Sequence, residues 1–157
     1  MITFWRIGTD TPTYTAEDMG GIGAKTTGGR WNRQGTALVY TSSSRALSCL
    51  ETVVHLSSGG LPLNRYLVQV DIPDDVWTKR DMVDRAALVG WDAMPAGMVS
   101  LDFGDKWVSS GTSCLLEVPS AIVPEEANIL INPAHPDAAK ITAVKVRKWV
   151  YDARIKP

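Results

Sequence analysis

The chain has 157 residues and a mass of 17.1 kDa, the size of one compact domain that buries about 70% of the surface its unfolded form exposes. It is 45% hydrophobic and 21% charged, and 16 Lys and Arg against 17 Asp and Glu leave a net charge of −1, which speaks against a broad basic face for duplex nucleic acid and against an acidic disordered tail. No apolar run approaches the roughly 18 residues of a transmembrane helix, and the opening Met-Ile-Thr-Phe-Trp-Arg lacks the order of a signal peptide, so a cytoplasmic protein without membrane contact is expected.

In chain order, Ile2 to Ile7 reads as a strand, with Ile2, Phe4 and Arg6 on one face and Thr3, Trp5 and Ile7 on the other. Gly8 to Gly29 shows no sustained period; so long an irregular stretch in a compact domain is functional or conceals a short helix. Thr36 to Tyr40 is a short strand, and Thr41 to Ser44 is a run of helix N-cap candidates. Arg45 to Leu56 is the clearest helix, with Ala46, Leu47, Leu50, Val53 and Val54 on one stripe. Gly59-Gly60-Leu61-Pro62 ends it.

Arg65 to Ile72 alternates as a strand should, and Asp74 and Asp75 suit the start of a helix reaching about Val89. Gly90 to Leu101 looks like a loop, followed by a short helix over Asp102 to Ser109. Cys114 to Val118, Ala121 to Val123 and Asn128 to Ile131 are apolar strands divided by Pro119, Pro124 and Pro133; Ala143 to Tyr151 is a last strand, its broken parity placing it at a sheet edge. Strands outnumber helices and are not separated by regular helical segments. The expected fold is therefore α+β: a single domain over residues 1–157 with a mixed sheet and a few helices.

Gly20-Gly21-Ile22-Gly23-Ala24-Lys25-Thr26 imitates a phosphate loop, but Ala24 stands where glycine must precede the lysine and Met19 stands five positions earlier. The dinucleotide fingerprint fails too, because Thr26 occupies the place of its third glycine. A flexible loop over a pocket is expected there. With two His and no CxxC pair between Cys49 and Cys114, a metal site of the usual Cys and His kind is not expected.

The chemistry gathers elsewhere. In Gly28-Gly29-Arg30-Trp31-Asn32 two glycines allow close backbone approach and Arg30 offers a fork for phosphate or carboxylate. The strand that follows delivers the Tyr40 hydroxyl at its end. Glu51 is the only acid between Asp18 and Asp71, and it sits at the margin of the apolar helix stripe, where a carboxylate is either paired or useful. Taken singly, each has a structural reading: a surface ion pair for Arg30, strand-end packing for Tyr40, a helix-flank pair for Glu51.

Arg30 in GGRWN, the strand TALVY, Glu51 in SRALSCLETVVHL, and Ser120 in LLEVPSAIVPEEANILINPAHPDA together resemble the RES domain. The resemblance runs from Phe4-Trp5-Arg6-Ile7 to the last strand. It implies a fold like that of ADP-ribosyltransferase toxins, with a split sheet gripping a dinucleotide. It also implies a toxin of a bacterial toxin–antitoxin pair that degrades NAD⁺, hetero-oligomeric with an Xre-type helix-turn-helix antitoxin that carries the DNA contact. NAD⁺ is then the substrate, and no prosthetic group is implied.

Nicotinamide leaves as a neutral ring, so the leaving group needs no general acid, and one carboxylate facing the oxocarbenium-like sugar suffices where ordinary glycosidases use two. By the resemblance Glu51 acts on the nicotinamide ribose, Arg30 holds phosphate or orients the nicotinamide end, and Tyr40 stacks or hydrogen-bonds near it. Ser120 bonds within the pocket, Arg6 is a further phosphate-binding candidate, and Asn132 is a binding candidate whose Asn-Pro context also reads as an ordinary turn. No Glu-x-Glu or Gln-x-Glu pair of the kind that positions a protein acceptor is present, which favours hydrolysis or phosphorolysis of NAD⁺ over modification of a macromolecule. A non-catalytic nucleotide-binding module is the alternative from another class.

Overall fold

A computed structural model describes residues 1–57 and 59–155. The strands are β1 (Ile2–Thr9), β2 (Val39–Ser42), β3 (Arg65–Ile72), β4 (Asp81–Met82), β5 (Leu115–Pro119), β6 (Ala127–Ile131) and β7 (Thr142–Lys148). The helices are α1 (Ile22–Thr27), α2 (Arg45–Val53), α3 (Asp74–Trp77) and α4 (Met98–Ser110), with one 3-10 turn at Pro136–Lys140. All seven strands join one sheet in the order β4-β5-β6-β2-β1-β3-β7. Its pairings are antiparallel except β4 with β5, so the α+β architecture with a mixed sheet is as expected.

The sheet is split in the middle. β1 pairs with β3 along its whole length, from Ile2 opposite Ile72 to Thr9 opposite Arg65. With β2 it shares a single registered pair, Trp5 opposite Ser42. Because neighbouring side chains alternate across a strand, two cores form on the two faces. Phe4, Val39, Val68, Val70, Ile72, Leu115, Ile129 and Ile131 fill one. Trp31, Leu38, Trp91, Trp107, Leu116, Val118 and Leu130 fill the other, with Tyr40 against its edge. Three of the six tryptophans thus serve one core, Trp31 lying nearly parallel to Trp91 with ring centroids 6.4 Å apart.

Several elements differ from the sequence expectation, each for a physical reason. The stretch expected as a flexible loop contains α1, entered through Gly21 at φ 71° and left through Gly28 at φ 73°, angles that a glycine adopts without strain. The helix expected from Asp74 towards Val89 ends at Trp77. Arg80 then turns back over the Trp77 ring and bonds Glu117 at 3.1 Å, and the chain continues as β4 alongside β5. α4 begins at Met98 rather than Asp102, behind Gly97, which supplies no side-chain cap and so leaves no N-cap signal to read. Ala121 to Val123 is no strand but part of a turn in which Ser120 N–H donates to Glu126 O and Glu126 N–H to Val123 O. The last strand ends at Lys148, short of Tyr151, but β7 does lie at the sheet edge. No helix among the described residues is long and apolar enough to cross a membrane.

Candidate functional site

α2 starts where the serine run predicts, with the Ser44 hydroxyl accepting from Leu47 N–H at 3.0 Å. Its buried residues are Leu47 and Ser48, whereas Leu50 and Val54 of the expected apolar stripe are exposed. The helix is therefore rotated from the simple amphipathic reading, and Glu51 is turned onto the sheet. A carboxylate on that face is tolerable only with partners. Glu51 Oε1 accepts from the Ser120 hydroxyl at 2.7 Å and from Asn128 Nδ2 at 2.8 Å. Neither bond uses Oε2.

Ser120 is fully buried, and its hydroxyl is fixed by simple accounting. A serine oxygen has two lone pairs and one proton. Ile122 N–H and Val123 N–H each donate to this oxygen at 3.1 Å, so the proton is left for Glu51. The Ala121 to Val123 turn, misread in sequence as a strand, is the device that aims it.

Asn128, the second residue of β6, lies opposite Ser42, which itself lies opposite Trp5, and on its other side faces Val118 of β5. The row Trp5–Ser42–Asn128–Val118 crosses the split, and Glu51 is tied to it there. Tyr40 lies two residues back along β2, on the same face as Ser42 and about 6.6 Å from it at 3.3 Å per residue. The Tyr40 hydroxyl accepts from Trp31 N–H at 3.0 Å and donates to Asn32 Oδ1 at 2.6 Å. Burial pushes its ionisation well above the ordinary tyrosine range, so it stays a neutral phenol. It holds the Gly28–Asn32 segment against the sheet. Gly29 is required there, because a Cβ would fall 2.6 Å from the Tyr40 hydroxyl. The same segment is anchored by Trp31 and by Asn32, whose Nδ2 donates to Ala24 O and Thr36 O at 2.9 Å each.

Arg30 rides on that anchored segment. Its guanidinium donates from Nη1 to Trp91 O at 3.1 Å and Ala93 O at 2.8 Å, and Nη2 lies 2.9 Å from Met94 Sδ. Among the described residues it has no carboxylate partner, so the surface ion-pair reading does not apply. Beside it, Thr27, Gly28, Gly29, Asn32, Arg33, Pro95 and Leu101 line a cavity of about 500 Å³.

The structure thus brings Glu51 and Ser120 into contact and puts Tyr40 on the same face of the sheet, with Arg30 on the loop that Tyr40 secures. Two other expected residues stand apart. Arg6 shares the face of Phe4 and its cross-strand neighbour Val68, opposite to that of Trp5 and Ser42. Its guanidinium donates to Asp18 O at 2.7 Å, and burial lowers its pKa. The parity of β1 separates it from Glu51. Asn132 is bonded within the protein: its Nδ2 donates to Val108 O at 3.1 Å and its Oδ1 accepts from Ala134 N–H at 3.0 Å. One end of its amide is bonded to α4 and the other to the turn after β6, in keeping with the ordinary Asn-Pro turn reading. The asparagine that sequence reasoning missed is Asn128. Its signal was faint: a polar side chain at the head of an apolar strand, sharing pleat parity with Leu130, where asparagine is disfavoured without a partner.

Comparison with known proteins shows the family and the fold. The family model described as RES domain matches residues 3–153. A protein from Sphingobium sp. named Prs ADP-ribosylating toxin is 62% identical over 154 residues, covering 98% of this chain and 96% of the relative. A Yersinia enterocolitica protein named Toxin Res is 35% identical, with 91% and 93% covered. A Pseudomonas putida protein of the same name is 32% identical, with 88% and 92% covered. Among solved structures, the crystal structure of the M. tuberculosis MbcT–MbcA toxin–antitoxin complex contains a chain that superposes with a TM-score of 0.65 at 14% identity, covering 93% of this chain and 84% of that one. That likeness shows the fold.

Proposed function

This chain belongs to the RES domain family, and on that footing we propose that it is the toxin of a toxin–antitoxin pair and cleaves the nicotinamide–ribose bond of NAD⁺. The observation that carries the reading is the Glu51 carboxylate, held through one oxygen by Ser120 and Asn128 with the other oxygen left to the ligand. In the proposed reaction the bond from ribose C1′ to the pyridinium nitrogen breaks and its electron pair neutralises the departing ring. Glu51 Oε2 faces the sugar as it becomes cationic, or accepts a ribose hydroxyl. Such preorganised charge stabilisation is worth most in a water-poor site. Arg30, which has no carboxylate partner among the described residues, exchanges its loop carbonyls for the pyrophosphate or the nicotinamide amide. Tyr40, held neutral, offers a ring face and fixes the Arg30 loop.

A nucleophile then takes C1′ and loses its proton. The Sphingobium relative, 62% identical over nearly the whole chain, is by its name an ADP-ribosylating toxin acting on Prs, and this supports transfer of the ADP-ribosyl group to a protein acceptor of that kind. Hydrolysis or phosphorolysis is the second reading, favoured by the lack of a Glu-x-Glu or Gln-x-Glu pair. The partner in the proposal is a helix-turn-helix antitoxin of Xre type, and a toxin–antitoxin pairing is what the MbcT–MbcA complex is by title. A sequence pI near 6.1 leaves DNA contact to that partner.

The test is nicotinamide release from NAD⁺ by purified protein, with labelled NAD⁺ in a cell lysate to find the acceptor. Wild type is expected to release nicotinamide at least about a hundredfold faster than Glu51→Gln, in keeping with loss of a transition-state contact. Equal rates overturn the proposal. Label retained on protein supports transfer, and label recovered in small molecules supports the second reading.

A further inference from the structure

The two bonds that Ser120 and Asn128 make to Glu51 converge on one atom. They fix Oε1 but not the plane of the carboxylate, so the direction of Oε2 depends on where the helix carries the Glu51 backbone. That backbone lies in the last turn of α2, where the helix's own ladder gives out: Val54 N–H reaches Leu50 O at 3.4 Å, and His55 N–H closes a tighter turn onto Thr52 O at 3.0 Å. Helix ends held only by their backbone fray.

One side chain secures this turn from outside. Thr52 Oγ1 donates to Cys49 O at 2.8 Å and lies 2.7 Å from the Tyr151 hydroxyl. A threonine hydroxyl has one proton, already given to Cys49, so Tyr151 donates in the second bond. Tyr151 is only 4% exposed. It stands on the segment that follows β7, which Trp149 N–H pins to Arg65 O at 2.9 Å at the start of β3. The last turn of α2 is thereby tied to the β1-β3-β7 half of the sheet, while the Glu51 side chain is tied to the β2-β6-β5 half.

We infer that Tyr151 is a positioning residue for Glu51, acting through Thr52. The inference rests on the catalytic reading of Glu51. Tyr151 does not touch the ligand; its hydroxyl sets the tilt of the turn from which Oε2 is presented.

The experiment compares nicotinamide release and thermal melting for wild type, Glu51→Gln, Tyr151→Phe, Thr52→Val, Thr52→Ser and the double variant Tyr151→Phe with Thr52→Val. Tyr151→Phe keeps the buried ring and removes only the hydroxyl. It and Thr52→Val are each expected to lower kcat about tenfold, less than the roughly hundredfold of a full 1 Å misplacement, with KM for NAD⁺ unchanged. The double variant is expected to be no worse than either single, because both remove the same bond, and Thr52→Ser is expected to stay near wild type. If Tyr151→Phe lowers the melting temperature but leaves kcat alone, or raises KM as much as it lowers kcat, the tyrosine is merely structural and the inference fails. Release that depends on Glu51 but ignores Tyr151 and Thr52 overturns this inference alone. Release equal in wild type and Glu51→Gln overturns the reading of Glu51 and this inference with it.

Discussion

Gly104, inside α4, lies so close to Trp31 that a Cβ built on it would fall 1.7 Å from the Trp31 carbonyl oxygen. The atom in the way is backbone, so no rotamer change relieves the contact. Elsewhere in a helix, replacing glycine by alanine gains up to about 1 kcal/mol. Here the sign reverses: Gly104→Ala is expected to destabilise the protein by about 1–3 kcal/mol, the range for overpacking a filled core. Because Trp31 follows Arg30, nicotinamide release is expected to fall as well. Chemical denaturation and the release assay check both, and a variant as stable as wild type contradicts the contact.

Tyr40→Phe removes one oxygen and strands two groups, the Trp31 N–H and Asn32 Oδ1. Leaving such buried groups unpaired costs about 1–3 kcal/mol. The tyrosine also gives the protein an alkaline signature. Burial raises its folded-state pKa above the ordinary value of 10.0, so its contribution is fully present below pH 10 and is lost as the unfolded chain ionises above it. Wild-type stability is therefore expected to fall more steeply between pH 10 and 12 than that of Tyr40→Phe, as read by melting at each pH. Parallel slopes would falsify the buried neutral phenol.

Asn128→Asp replaces a donor to Glu51 by a second carboxyl. One of its oxygens would occupy the place of Asn128 Oδ1, which is buried with no partner among the described residues. Two carboxyls in one site cannot both ionise cheaply, so one proton is held to a raised apparent pKa. A raised folded-state pKa means stability that is present at low pH and lost as pH rises. The variant is expected to melt below wild type at pH 8, to approach it near pH 5, and to release nicotinamide at least about tenfold more slowly at pH 7. A gap that is constant with pH argues that Asn128 does not meet the Glu51 carboxylate.

How far the sequence foretells all this differs residue by residue. The strand Arg65–Ile72 was legible to the residue because its period-two alternation spans a full-length element. The start of α2 was legible through Ser44. The rotation of α2 was not, since Leu50 and Val54 look like core and only the donors on Ser120 and Asn128, 69 and 77 residues away, make Glu51 acceptable on the sheet side. Ser120 was legible as a family residue but not as a fixed donor, because that depends on a turn that three apolar residues disguised as a strand. Arg6 shows the converse limit. Its place in β1 was read correctly, yet the face it takes follows from which parity pairs with Ser42, a choice made across the sheet.

The single registered pair between β1 and β2 also has a mechanical meaning. A sheet resists sliding in proportion to the rungs that cross each interface, and at this interface there is one rung, Trp5 with Ser42. The two halves therefore meet along a natural crease. Glu51 straddles it, its side chain stitched to one bank and the turn beneath it to the other, so flexing of the crease is carried to that carboxylate.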